Sequence, residues 1–303
     1  MDRRRFLRYS GAAVTSSLLL PSGFAQALTA SKQEYKLGYQ LYSVNKDMQR
    51  SPWSTLLALK DMGYRDFEVF GFEPDSVSYY GLSAKDFKRT LDELGLTASS
   101  GHYGFAPYLA KSQAEMDAFV AQCIKGAKKL ETPFITWPWM APEQRTLDTF
   151  KRLPDILNRI GEQVSKAGLQ FAYHNHGFEF EIVDPQTGQS GYDMVLNQTD
   201  PDLVKMQMDM YWVSYAAKTT PKALVEKYPG RFVMWHIKDM DNVSRDYTEL
   251  GNGSIDYPSV LPNPSDSGLR YYYIEQGGNF ASSPLESAAA SAAYFKAHLA
   301  SHF

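Results

Sequence analysis

The chain has 303 residues, of which 44% are hydrophobic and 21% charged, with a formal net charge of −3. That is enough length and apolar content for a sizeable core, and the charge balance argues against a surface built to grip nucleic-acid phosphates. The single cysteine, Cys123, excludes an intramolecular disulfide, and no neighbour in sequence would lower its pKa toward that of a thiol nucleophile.

The chain begins "MDRRRFLRYSGAAVTSSLLL", with Arg3, Arg4, Arg5 and Arg8 ahead of a short, mildly apolar run that ends at "FAQA". This is the layout of a twin-arginine export signal with a small-residue cleavage site after Ala27. The apolar run is too short to span a bilayer. Residues 1–27 are therefore read as a removable signal, residues 28–303 as a single domain, and the destination as the periplasm or cell surface. Removing the four arginines together with Asp2 moves the formal charge from −3 to −6.

Eight stretches rich in β-branched and aromatic residues follow: "KLGYQLYSV" (36–44), "RDFEVFGF" (65–72), "LTASSGHYGF" (96–105), "PFITWPWM" (133–140), "LQFAYHNH" (169–176), "LVKMQMDMYWV" (203–213), "RFVMWHIKD" (231–239) and "RYYYIEQGG" (270–278). Segments with apolar residues at i, i+3, i+4 and i+7 separate most of them, and three of these end in Gly63, Gly95 and Gly168 just before the next strand. The seventh unit is degraded: "GNGSIDYPSVLPNPSDSG" leaves room for only a helical turn or two. Strand and helix alternating eight times over this length predict an α/β fold, the parallel (β/α)8 TIM barrel, in place of an open sheet. No glycine-rich phosphate fingerprint follows the first strand, where a dinucleotide fold would carry it.

In such a barrel the chemistry sits at the C-terminal strand ends. Glu68, His102, His174, His176, Asp209, His236 and Glu275 all fall late in their strands. A lone histidine there is usually a satisfied structural residue, but an acid inside an apolar run, as Asp209 and Glu275 are, needs a cation or a donor. Asp209, His236, Glu275 and a glutamate from the fifth strand would surround one point with carboxylates and one imidazole, a set suited to one divalent ion such as Mn, Mg, Co or Zn. His174 or His176 in place of that glutamate would make the site richer in nitrogen.

"GYQLYSV", "YHNHGFEFE", "MDMYWV", "HIKD", "ELGNGSIDY" and "YYIEQGG", in this order and on these strands, together resemble the sugar phosphate isomerase/epimerase family of the xylose isomerase-like barrels, over roughly residues 35–300. The resemblance implies one divalent metal held from strands five to eight. Asp209, His236 and Glu275 match three ligands. On the fifth strand this chain departs from the pattern, and Glu179 is the expected fourth ligand with His174 the alternative. Where many relatives have a histidine three residues after the sixth-strand Asp, this chain has Trp212, expected to form an apolar wall or a sugar-stacking face.

A metal on a carbonyl and its neighbouring hydroxyl stabilises the enediolate left when the adjacent C–H proton is removed. Glu179 or Glu275 in a dual role, or His102, is the expected base. Lys238, two residues after His236, faces the same side and either donates to a sugar oxygen or pairs with Glu275. His174, His176, Glu68 and Trp212 are expected to bind substrate. Tyr39, Tyr42, Phe70 and Trp137 with Trp139 suit either a sugar-binding mouth or ordinary barrel filling. Gly251 and Gly253 read as a turn more readily than as a phosphate cradle.

The expected activity is isomerisation or epimerisation of a keto-sugar, with a 3-keto-glycoside lyase as the alternative by the same enolate step. An exported protein without a cluster of Arg and Lys at the later strand ends favours an unphosphorylated carbohydrate. An inactive sugar-binding barrel is the reading from another class. No nucleic-acid partner and no membrane span in the mature form are expected, and a homo-oligomer is left open.

Overall fold

Eight short parallel strands close on themselves in sequence order: β1 (Gly38–Gln40), β2 (Asp66–Val69), β3 (Thr97–His102), β4 (Phe134–Trp137), β5 (Gln170–His174), β6 (Val204–Asp209), β7 (Phe232–Ile237) and β8 (Tyr271–Ile274). β1 closes the ring, pairing Gln40 with Glu68 on one side and Tyr39 with Ile274 on the other. The structure, a computed structural model, describes residues 34–303. The export signal expected at residues 1–27 lies outside the described residues. Within them, no helix is long and apolar enough to cross a membrane.

The barrel carries α1 (Pro52–Met62), α2 (Ala84–Glu93), α3 (Gln113–Leu130), α4 (Leu147–Lys166), α5 (Gly191–Gln198), α6 (Met210–Ala216), α7 (Pro221–Lys227) and α8 (Pro284–His298). Polar residues start several of them: the Ser112 hydroxyl and Glu115 form a capping box on α3, and Thr146 caps α4. α4 turns Phe150, Leu153, Leu157, Ile160 and Val164 to the barrel, the spacing of one helical face. Gly63, Gly95 and Gly168 all adopt positive φ where the chain leaves a helix for the next strand, so the three expected helix ends fall on left-handed glycines. The seventh crossover holds a short antiparallel strand pair, Asp239–Met240 with Tyr247–Thr248, and its helical structure is limited to two single turns, Tyr257–Val260 and Pro264–Ser267.

Period-two alternation sends one set of strand side chains into the barrel and the other toward the helices. Inside, Phe134, Ala172, Val233, Met234 and Tyr273 form a small apolar cluster of their own. Asp66 lies within this interior, accepting from Ser99 and Thr97.

Several strands end sooner than the apolar runs suggested. The run 203–213 is a strand only to Asp209, whose Oδ1 accepts from the backbone N–H of Tyr211 (3.0 Å) and Trp212 (3.3 Å) and so starts α6. Trp212 therefore sits on a helix. β1 stops at Gln40, whose Oε1 takes the Tyr42 N–H and turns the chain into a 3-10 segment. An additional three-stranded antiparallel sheet, Phe72–Glu73, Ser78–Tyr79 and Leu82–Ser83, stands between β2 and α2.

Candidate active site and metal centre

The side chains that end β2, β3, β5, β6, β7 and β8 meet in one polar network. Glu68 is its base. It has no exposed surface, and its carboxylate accepts from Gln40 Nε2 (2.6 Å), Ser100 Oγ (2.6 Å), Gln207 Nε2 (2.7 Å) and His236 Nε2 (2.5 Å), with His102 Nε2 at 3.0 Å. Burial opposes a charge on Glu68, but His102 and His236 outweigh it and hold the carboxyl well below its ordinary range. Glu68, expected to bind substrate, is closed off from any ligand. It orients the groups above it.

Gln207 assigns the protons of two histidines. Its Nε2 must donate to Glu68, since a carboxylate cannot, so its Oε1 accepts from His102 Nε2 (2.8 Å) and His174 Nδ1 (2.9 Å). The His174 lone pair is then on Nε2, 3.6 Å from Asp209 Oδ2. Burial, followed by the charge of His236, holds His174 well below its ordinary pKa, so it is a neutral imidazole.

Above this layer lies the ligand cluster. His236 Nδ1 lies 2.5 Å from Glu275 Oε2, and the Lys238 ammonium bridges Asp209 Oδ2 (2.6 Å) and Glu275 Oε2 (2.8 Å). Burial works against a charge on His236, yet Glu68 and Glu275 raise its pKa to about 9. Lys238 is raised in the same way, its burial outweighed by Asp209 and Glu275, and Glu275 is held far below its usual value by Lys238 and His236 despite burial.

Donor atoms of Asp209, His236 and Glu275 all lie within 4.8 Å of one another, and so do those of His102, His174 and His236. Two carboxylates and one imidazole at that spacing fit a divalent ion of the borderline-hard kind, and the free Nε2 of His174 beside Asp209 fits a fourth position. Glu179, expected there, stands outside both groups. It lies on a one-turn helix, Phe178–Glu181, past the strand, where its two oxygens accept from Tyr173 Oη (2.9 Å) and the His176 N–H (2.9 Å).

A cavity of about 780 Å³ opens above the cluster, lined by His102, His174, His176, Lys238 and Glu275 at its polar end. Tyr42, Phe70, Trp139, Phe178, Trp212, Tyr215 and Tyr247 form its walls. Of the aromatics proposed for the mouth, Tyr42, Phe70, Trp139 and Trp212 are there. Tyr39 and Trp137 are barrel filling, Tyr39 tilted against Tyr64 and Trp137 stacked on Phe105. His176 lies between Phe178 and Trp212 with no partner on its Nδ1, and burial, then Lys238, hold it neutral.

The cavity's two fixed cations are both engaged. Lys238 holds two carboxylates, and Arg145 lies over the rings of Trp139 and Phe178 while donating to the Met140 carbonyl. Gly251 and Gly253 form the expected turn, their N–H groups capped with that of Ile255 by the Asp239 carboxylate, which leaves no nest for a phosphate. Cys123 is buried, and burial pushes its thiol up.

Sequence reasoning missed Gln207, Gln40 and Ser100. For two of them the signal was present: Gln207 and Ser100 precede Asp209 and His102 by two residues, and on a strand that spacing means a shared face. Arg145 and Phe178 carried no such signal.

Residues 56–296 match the model of a family described as the xylose isomerase-like TIM barrel. An inosose dehydratase of Clostridium perfringens (strain 13 / Type A) is 26% identical over 188 residues, covering 55% of this chain and only 60% of the relative's own length. A solved sugar phosphate isomerase/epimerase from Parabacteroides distasonis ATCC 8503 superposes with a TM-score of 0.75 at 28% identity, over 91% of this chain and 98% of its own. An IolI protein with a bound zinc atom shares the fold at 14% identity, with a TM-score of 0.67 over 88% of this chain and 99% of its own.

Proposed function

Since the chain belongs to the xylose isomerase-like TIM barrel family, we propose that it is a metal-dependent isomerase or epimerase that removes a proton beside the carbonyl of an unphosphorylated keto-sugar. The observation that carries this reading is the meeting of Asp209, His236 and Glu275 at the floor of a large cavity whose polar end also presents three imidazoles and the Lys238 ammonium. Those three residues, with His174, would hold the ion. When bound, it supplies Lewis-acid polarisation of the carbonyl and stabilises the charge left after proton removal.

The chain's own groups supply the rest. His176 is neutral and lines the cavity, where a neutral imidazole can serve as general base, and its Nδ1 is buried without a partner. Lys238 is a donor to the sugar's oxygens, while His102 lines the cavity with its Nε2–H given to Gln207. Glu179, an expected base, does not line the cavity. The aromatic walls suit the apolar faces of a sugar ring, and the turn at Gly251 and Gly253, its N–H groups taken by Asp239, offers no phosphate nest. Export, if the leader acts as its pattern suggests, points the same way.

A second reading is elimination. It is favoured by the inosose dehydratase relatives, because a dehydratase shares the first proton abstraction and then expels a β-oxygen. The test is metal analysis of the wild type and an Asp209→Ala, His236→Ala double variant, followed by incubation with ketoses and 3-keto-glycosides in deuterated water. Metal in the wild type alone, with deuterium entering beside the carbonyl, supports enolisation. Epimer formation against loss of the leaving group separates the two readings, and no exchange with any keto-sugar sinks both.

A further inference from the structure

Asp209 and His236 have no exposed surface, and their neighbours Lys238 and Glu275 are the groups through which the cluster meets the cavity. The atoms with which a cation would be met are already engaged. Asp209 Oδ1 takes two backbone N–H groups of α6, and Asp209 Oδ2 faces the Lys238 ammonium at 2.6 Å. Glu275 Oε2 takes the same ammonium at 2.8 Å and His236 Nδ1 at 2.5 Å, and His236 Nε2 is held by Glu68.

Buried carboxylates that close together need a positive charge between them, and the Lys238 ammonium is the cation that reaches both Asp209 and Glu275. We infer that Lys238 is the resident counter-cation of this site: a divalent ion enters by displacing the Lys238 ammonium from Asp209 and Glu275, and the displaced ammonium turns into the cavity that it already lines. The inference rests on the reading that Asp209, His236 and Glu275 hold the metal. Two cations cannot both be the close partner of the same two oxygens without strong mutual repulsion in a dry site. The metal's apparent affinity therefore carries the loss of two charge-assisted contacts, and Lys238 is presented to a substrate oxygen only once the ion is in place.

The experiment measures Mn2+ and Zn2+ binding by calorimetry with chelator competition, on the wild type, Lys238→Met and Lys238→Gln, with Asp209→Ala as the control for site occupancy and circular dichroism to confirm folding. Removing the competing ammonium should tighten metal binding by about tenfold or more, and the metal-free variants should melt earlier than the wild type and recover on metal addition. Equal or weaker binding in both folded variants overturns the inference, since Lys238 would then brace the metal ligands and not compete for them. Absence of binding in the wild type and variants alike overturns the metal reading itself, and this inference with it.

Discussion

Replacing Glu179 by Gln separates a buried acid that burdens the fold from one that serves the metal. Glu179 has no exposed surface, and burial raises its pKa from 4.5 to about 7 against the hydrogen bonds from His176 and Tyr173. The folded protein binds this proton more tightly than the unfolded chain does. Stability contributed by the protonated form is therefore full below pH 4.5, falls as pH rises toward 7, and stays lost above it. At about 1.4 kcal/mol per pH unit, the loss comes to roughly 3 kcal/mol. Gln keeps the shape: its oxygen accepts the His176 N–H, and its amide donates to Tyr173 Oη, which can accept as well as donate. The variant should match the wild type near pH 4.5 and exceed it by up to roughly 3 kcal/mol at pH 8, about 6–10 °C in Tm. Asp66, raised to about 6 by burial, falls in the same direction between pH 3.8 and 6, so the quantity to read is the difference between the two proteins in urea titrations at stepped pH. A flat difference across pH 4.5–7.5, or a variant less stable at pH 8, would refute the reasoning. Loss of bound metal in the variant would return Glu179 to the ligand set.

Other expectations follow from the same geometry. Glu68→Gln leaves one acceptor oxygen for donors from Gln40, Ser100, Gln207 and His236, and should cost about 3–5 kcal/mol in denaturant titration. Glu275→Gln should abolish solvent-proton exchange into a keto-sugar while binding of that sugar, followed by calorimetry, falls far less; undiminished exchange would exclude Glu275 from the chemistry. Gly253→Ala would drive a methyl into the Asp239 carboxylate and the Met240 carbonyl, both pinned by hydrogen bonds, and should lower Tm by several degrees. Trp139→Ala, at a position 42% exposed on the cavity wall, should raise KM severalfold and leave Tm nearly unchanged, as thermal melts and initial rates will show.

Eight apolar runs, most of them followed by helical spacing, made the barrel legible, because strand, helix and left-handed glycine repeat as local signals. The ends of the strands were not legible. Asp209 reads equally well as the last inward residue of a long strand or as the cap of a helix, and only its two bonds to Tyr211 and Trp212 decide. The site was half legible for a related reason. A buried acid in an apolar run announces that it needs a partner but not which partner. For Asp209 and Glu275 the partners are Lys238 and, for Glu275, His236, contributed by other strands. For Glu179 they are Tyr173 and a backbone N–H a few residues away, so nearness to "HNH" in sequence did not place it in the ligand set.

Glu68 shows why the interior is polar at all. A buried carboxylate with this many donors is not a device for stability, since an apolar side chain of similar size would spare the desolvation of the acid and of both histidines. What it does that an apolar residue cannot is fix ring orientation: with Glu68 on Nε2, His236 turns Nδ1 toward Glu275, and with Gln207 bound to Glu68, His174 turns its lone pair toward Asp209. Both histidines are thereby aimed at one point from below, by an acid that never meets the cavity. A carboxylate or amide behind a metal-binding imidazole sets its tautomer and raises its basicity. The cost of burying Glu68 is thus tied to the geometry of the ligand cluster, and a chain selected for barrel stability alone would have no use for it.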